Sequence, residues 1–161
     1  WATALSFDVL ARWVETGESP TTQYRRFFSY YFSIILFMFI WLYQGFVPKV
    51  LQKHSLEIDM LANLSPLSTA QATDAIVWIG LGEIIIACLF VSRKLQPFLL
   101  KGQIMLFPIL TVGSIIAAPH VATDPFNVVI LNVSLFVLSI IALMLRTNVP
   151  TASSCKRKRG R

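Results

Sequence analysis

The stretch AIVWIGLGEIIIACLFV, residues 75–91, is apolar except for one carboxylate, Glu83, at its centre. A run of about seventeen apolar residues is close to the minimum length that crosses a bilayer as a helix. An ionisable side chain at mid-depth costs roughly 2.5–3.5 kcal/mol on insertion scales, so such a residue faces protein or trapped water. Gly80 and Ala87 lie on the same helical face as Glu83, where small residues let another helix approach closely. The stretch therefore predicts a membrane-spanning helix with a polar site around Glu83.

The composition of the whole chain favours the same class of protein. Of the 161 residues, 55% are hydrophobic and 14% are charged, whereas soluble domains are about 25% charged. Three further long apolar runs accompany residues 75–91. We predict an all-α integral membrane protein, a bundle of four helices with spans at about 27–47, 75–91, 102–118 and 126–145.

The segments outside the spans divide the chain into three parts. Residues 1–26 are predicted to be a cytoplasmic or interfacial segment, residues 27–145 the transmembrane domain, and residues 146–161 a basic cytoplasmic tail. Within the first part, Leu5, Val9 and Trp13 share one helical face. This spacing predicts a short amphipathic helix before the first span, which either lies on the membrane or serves as an ordinary linker.

The connection between the first two spans also has helical spacing. Leu56, Met60 and Leu64 recur every four residues behind Ser55, a predicted N-cap. Pro48 and Lys49 are expected to close the first helix. The pattern S-x-x-Q at residues 68–71 matches a capping box, so the second helix is expected to begin before its apolar run.

The positive charges predict the orientation of the chain. The net charge is +6, but the basic residues flank the spans, so lipid and topology explain them and we expect no nucleic-acid partner. Twelve Lys and Arg residues fall on one side of the predicted spans; on the other side are only Lys49 and Lys53. With an even number of spans, this asymmetry places both termini in the cytoplasm and the protein in the cell (inner) membrane.

Glu83 is the sharpest candidate for a functional group. In a functional role, it would handle a proton or form a hydrogen bond with a quinone or lipid head group. In a structural role, it would form a hydrogen bond that ties the second helix to its neighbours. Gln44 and Asn132 are neutral polar groups inside the spans, where such groups join helices or touch a ligand.

The outer loops hold a second group of candidates: Lys53, His54, His120 and Asp124. Lys49 and Lys53 are expected to bind an anion, to form the roof of a pocket above Glu83, or to act as interfacial anchors. The histidine spacing predicts no metal site, and no G-x-S-x-G pattern or Gly-rich phosphate loop identifies a catalytic residue.

Three short patterns follow one another along the chain: Gly45-Phe-Val-Pro48-Lys49, Gly80-Leu-Gly82-Glu83, and Pro125-Phe126-Asn127 with Asn132. Together they resemble the DoxX-like family of small four-helix membrane proteins, over about residues 27–145. The chain departs from the family pattern at three positions, where Val128 and Leu131 replace a proline and a lysine and Ala87 replaces a common glycine. One branch of the family resembles the membrane subunit of a thiosulfate:quinone oxidoreductase, and other relatives resemble assembly factors or cargo receptors.

The buried carboxylate and this resemblance favour a membrane subunit that supports an oxidoreductase. Its quinone or lipid pocket is expected between Glu83, Lys49 and the head of the fourth helix, with Gln44, Gly80 and Asn132 as further pocket candidates. The expected partners are the lipid bilayer and a soluble or membrane oxidoreductase, and a homo-oligomer is compatible with the pattern. The alternative is a non-enzymatic adaptor or assembly factor whose helices bind partner proteins. A small transporter is a third hypothesis, which would require oligomers.

Overall fold

The computed structural model describes residues 2–123 and 127–153, and this part of the chain is helical, without strands. Its α-helices are α1 (Ala2–Thr16), α2 (Pro20–Gln44), α3 (Ser55–Leu64), α4 (Thr69–Leu89), α5 (Gln96–Ala117) and α6 (Val128–Arg146). A π-helix at Gly45–Leu51 continues α2, and a 3₁₀-helix occupies Pro119–Thr123. Four stretches are long and apolar enough to cross a bilayer: Pro20–Leu51, Thr69–Leu89, Gln96–Ala117 and Val128–Arg146. The predicted all-α membrane bundle is confirmed.

The first span is longer than its apolar run. The helix begins at Pro20 rather than near residue 27, and it passes through Pro48 to end at Leu51. The prediction that Pro48 and Lys49 close this helix is therefore wrong. A proline ring crowds the preceding turn of an α-helix and supplies no N–H. The wider π-helix relieves that crowding, so the chain continues helically for another turn.

The starts of α3 and α4 test the two predicted caps. At α4 the capping box is confirmed: Ser68 Oγ accepts the Gln71 N–H at 3.4 Å, and Gln71 Oε1 accepts the Ser68 N–H at 3.0 Å. At α3 the prediction is wrong by one residue, because His54 is the N-cap and Ser55 is already helical. The chain turns sharply at Lys53, whose φ of 46° lies in the left-handed region, and this turn starts the helix one position early.

The described chain forms two compact units, and each is described by itself. The first contains the described parts of residues 1–32 and 144–161, and the second contains residues 33–143. Helices α2 and α6 contribute residues to both units. The predicted division at residues 26/27 and 145/146 stays a prediction, because compact packing and membrane depth are different properties.

In the first unit, α1 is amphipathic as its spacing predicts. Leu5 and Val9 are buried, whereas Trp13 is 49% exposed and therefore does not share their environment. The helix ends at Thr16, and Gly17 follows it with a φ of 73° that favours glycine; the Gly17 N–H donates to the Trp13 carbonyl at 2.9 Å. The fully buried Gln23 amide donates to the carbonyls of Val9 and Glu18, at 3.2 and 2.9 Å. This amide fastens α1 to the start of α2.

Asp8 connects the two ends of the first unit. Its Oδ2 accepts hydrogen bonds at 2.9 Å from Arg12 Nε and from the backbone N–H of Thr151. Arg26 Nη1 also reaches the carbonyl of Asn148 at 3.2 Å. The chain after α6 therefore packs directly on the segment before the first span.

Glu18 and Arg26 form a two-point ion pair in the same unit. Arg26 Nη1 donates to Glu18 Oε2 at 2.9 Å, and Nη2 contacts Oε1. The hydrogen bond from Arg26 lowers the pKa of Glu18 below its ordinary value of 4.5. A carboxylate with a lower pKa in the folded state stabilises the fold at pH values above 4.5, and this contribution is lost as the pH falls through the folded-state pKa.

We therefore expect Glu18→Gln to lower the unfolding temperature near pH 7, and this difference from the wild type should shrink as the pH is lowered to about 3. Thermal unfolding of both proteins at several pH values measures it. Glu15→Gln is the matched control, because Glu15 is exposed and has no ion pair among the described residues. A Glu18→Gln difference that stays constant with pH would show that the ion pair contributes nothing by its charge.

In the second unit, aromatic pairs fill the contacts between the long helices. Phe37 stacks on Phe90 with ring centroids 5.8 Å apart, and both rings are fully buried. Between α5 and α6, the buried Ser139 Oγ donates to Gln103 Oε1 at 3.3 Å. Gly113 of α5 does not mark a close helix contact, because a Cβ added there would meet only Leu64 at 4.0 Å.

Candidate functional site

Gly45 of the π-helix and Gly80 of α4 bring two helix backbones into close contact. A Cβ added at Gly45 would lie 2.5 Å from the Gly80 carbonyl oxygen, and one added at Gly80 would lie 2.6 Å from the Gly45 carbonyl oxygen. Only glycine at both positions allows this backbone contact. The small-residue prediction made for Gly80 is thus matched by a partner glycine on the first span.

This contact brings Lys49 onto Glu83. Both residues lie one helical turn beyond the two glycines, and a Cβ at Gly80 would come within 2.8 Å of Lys49 Cβ. Lys49 Nζ lies 3.0 Å from Glu83 Oε2, and the two side chains are only 11% and 16% exposed. Glu83 Oε2 is buried, and this ion pair is its contact with Lys49; the described residues provide no hydrogen-bond partner for it.

Lys49 also contacts two other groups. Its Nζ lies 3.2 Å from Glu57 Oε2 on α3 and donates to the carbonyl of Gln44 at 3.4 Å. One ammonium therefore serves two carboxylates that come from different helices. The pairing offsets the cost of holding Glu83 away from water.

A cavity of about 420 Å³ opens beside this ion-pair cluster of Lys49, Glu57 and Glu83. Its polar lining consists of the cluster together with Gln44, Ser114 and Asn132. The rest of the wall is apolar and comes from Ile40, Trp41, Met60, Leu61, Leu64, Ile76, Ile79, Phe107, Ile109, Leu110, Gly113, Val128, Leu131 and Leu135. The space is an apolar chamber with polar groups converging on it, the usual form of a site for an amphipathic small molecule.

Four of the five predicted pocket residues line this one cavity: Glu83, Lys49, Gln44 and Asn132. The fifth, Gly80, takes part in the backbone contact instead of the wall. The outer-loop candidates Lys53, His54 and His120 are exposed and do not line the cavity. Asp124 lies outside the described residues, as do Pro125, Phe126 and residues 154–161 of the basic tail. Within residues 2–123 and 127–153, no three His, Cys, Asp or Glu side chains are grouped so that they could hold a metal ion.

The sequence did not reveal the aromatic part of the wall. Trp41 and Phe107 stack with ring centroids 6.0 Å apart and an interplanar angle of 21°, and both line the cavity. The position of Trp41 near a span end is typical of an interfacial anchor, but its side chain is only 7% exposed and its Nε1 has no hydrogen-bond partner in the described part of the chain. One feature of the sequence could have placed Trp41 at the cavity: it lies three residues before Gln44, and residues three apart share a helix face.

Comparisons with known proteins agree with this architecture. The profile of the DoxX-like family matches residues 38–140, which include the π-helix, the ion-pair cluster and the whole cavity wall. The chain is also similar to YndG, an uncharacterized membrane protein of Bacillus subtilis (strain 168), with 46% identity over 46 residues. That match covers 29% of this chain and 17% of the length of YndG. No solved structure matches the chain.

Proposed function

Since the chain belongs to the DoxX-like family of membrane proteins, we propose that it is a membrane subunit that holds a quinone or lipid and supports an oxidoreductase. The observation that carries this proposal is the cavity of about 420 Å³ beside Glu83 and Lys49. Its volume lies within the range of roughly 300–1,000 Å³ of small-molecule sites, and its wall is mostly apolar. A ligand with an apolar body and a polar head fits both parts of this lining.

The proposal assigns a place to each part of the ligand. The polar head lies at the ion-pair cluster and near Asn132, and the ring or chain lies along the apolar side chains of α3, α5 and α6. Glu83 lines the cavity and its side chain is 16% exposed, so its carboxylate can receive a hydrogen bond from the head group. The oxidoreductase partner would supply the electron-transfer centre, which this proposal does not assign to the chain.

We further propose that both termini are cytoplasmic in the cell membrane. The count of basic residues, twelve against two, is the main argument. The hydrogen bond from the Thr151 N–H to Asp8 supports it, because it holds the chain after the last span against the segment before the first. In intact cells, Lys53→Cys should react with an impermeant thiol reagent and Glu15→Cys should not. Labelling of the Glu15→Cys variant alone would reverse the orientation.

A native mass spectrum of the protein extracted in mild detergent tests the functional proposal. We expect a retained mass that matches a quinone or phospholipid, and a higher unfolding temperature when a short-chain quinone is added. Ile79→Phe and Leu110→Phe, which narrow the cavity, should lower ligand retention. A bare chain with no thermal response to quinones or lipids would contradict the proposal.

The adaptor function has a separate observation in its favour. On α4, Trp78 and Ile85 are 73% and 59% exposed, and a Cβ added at Gly82 between them would meet nothing within 4 Å. A partner helix could approach this face closely. A polypeptide retained in the native mass spectrum, and lost in Gly82→Leu, would favour the adaptor over the ligand-binding subunit.

A further inference from the structure

We infer that the cavity binds the reduced, hydroxyl-bearing form of a quinone, the quinol, in preference to the oxidised dicarbonyl form. This inference rests on the proposed function, because it names the redox form of the ligand class proposed for the same cavity. It follows from the hydrogen-bonding capacity that the polar lining leaves open.

Lys49 is already surrounded by acceptors. Its ammonium group donates to the Gln44 carbonyl at 3.4 Å and forms ion pairs with Glu83 Oε2 at 3.0 Å and Glu57 Oε2 at 3.2 Å. A quinone has only carbonyl acceptors, so it would have to compete with two carboxylates for this ammonium. The cation of the cluster is therefore poorly available to a quinone carbonyl.

The same cluster leaves acceptors open. Two carboxylates share one ammonium, and the side chains of Glu83 and Glu57 both line the cavity, with 16% and 26% exposure. An ionised carboxylate accepts hydrogen bonds and does not donate them. A quinol hydroxyl can donate to Glu83, whereas a quinone carbonyl placed there would bring its lone pairs against those of the carboxylate. Hydrogen bonds between a neutral donor and a charged acceptor are about twice as strong as neutral ones.

The aromatic wall accommodates the ring. Trp41 and Phe107 present stacked rings to the cavity, beside which another flat ring can pack. A quinol can donate a hydroxyl hydrogen to Glu83 while its ring packs on this wall, whereas a quinone ring can pack there but has no hydrogen to donate to Glu83. The amides of Gln44 and Asn132 both donate and accept, and they do not discriminate between the two forms.

The test compares the two redox forms of one ligand on the full chain. The protein is placed in lipid nanodiscs, and binding of a decyl-chain benzoquinone and of the same compound reduced to the benzoquinol is measured by calorimetric titration without oxygen. Empty nanodiscs give the background from partition into lipid. We expect the quinol to bind at least about tenfold more tightly, the factor that one charge-assisted hydrogen bond provides.

Variants locate the source of the preference. Glu83→Gln has a side chain of nearly the same shape that can donate as well as accept, so the ratio of the two affinities should fall towards one. Trp41→Phe should weaken both forms several-fold, while Trp78→Phe, on an exposed tryptophan, should change neither. Equal affinities for the two forms in the wild type, or tighter binding of the quinone, would overturn the inference and leave the ligand-binding proposal standing. An unchanged ratio in Glu83→Gln would also overturn it. Binding of neither form above the background would overturn the inference together with the quinone part of the proposed function.

Discussion

Gly80→Ala is expected to lower the free energy of unfolding by about 3 kcal/mol, the upper end of the cost of overpacking. The new Cβ would lie 2.6 Å from the Gly45 carbonyl oxygen and 2.8 Å from Lys49 Cβ. Backbone cannot move aside as a flexible side chain can, so the first span and α4 must separate. Unfolding in mixed micelles with increasing denaturing detergent measures the difference from the wild type.

The matched control for this substitution lies two residues further along the same helix. Gly82→Ala adds the same methyl group where nothing lies within 4 Å. It should be neutral or slightly stabilising, because alanine favours a helix by up to about 1 kcal/mol over glycine. The contrast between the two variants removes helix propensity from the comparison. If Gly80→Ala and Gly82→Ala behaved alike, the close contact between Gly45 and Gly80 would be wrong.

Lys49→Met is expected to cost about 3 kcal/mol of unfolding free energy, since removing one partner of a buried pair typically costs 3–5 kcal/mol. The substitution removes the ammonium that lies 3.2 Å from Glu57 and 3.0 Å from Glu83, so both carboxylates lose their cation. The low end of the range applies because the side chains retain 11–26% exposure. The same unfolding measurement gives the value.

Two comparisons separate the lost charge from other effects of Lys49→Met. Lys53→Met removes an exposed lysine from the same connection and should change the unfolding free energy by less than about 0.5 kcal/mol. Adding Glu83→Gln to Lys49→Met removes one of the uncompensated charges and should recover part of the loss. A double variant no more stable than Lys49→Met would show that packing of the lysine stem, rather than its charge, stabilises this region.

The two predictions bear on the candidate site as well as on stability. The glycine contact places Lys49 at Glu83, and the shared ammonium then holds α3 over the cavity through Glu57. A variant that separates the first span from α4 should therefore also reduce ligand retention. Stability and binding are expected to fall together in Gly80→Ala and to remain unchanged in Gly82→Ala.

Local features of the chain were sufficient to predict most of the fold. Four apolar runs predict four spans because an uncharged run of this length is favourable in a bilayer only as a helix. The capping box at Ser68 and Gln71 depends on neighbours within a few residues, so the sequence was enough to predict it. Glu83 was recognisable because a charge in an apolar run has a known cost.

The site depended on contacts between residues far apart in the chain. No local rule predicts a π-helix through Pro48, and it is this wider turn, packed against Gly80, that directs Lys49 to Glu83. Likewise, the pairing of Glu57 with Lys49 and the stacking of Trp41 on Phe107 require α3 and α5 to be in place. The sequence by itself determined a four-span helical membrane protein with one buried carboxylate, because hydropathy and capping act locally. Only the tertiary structure decided which cation pairs with that carboxylate and which side chains enclose the cavity, because those choices are set by helix packing.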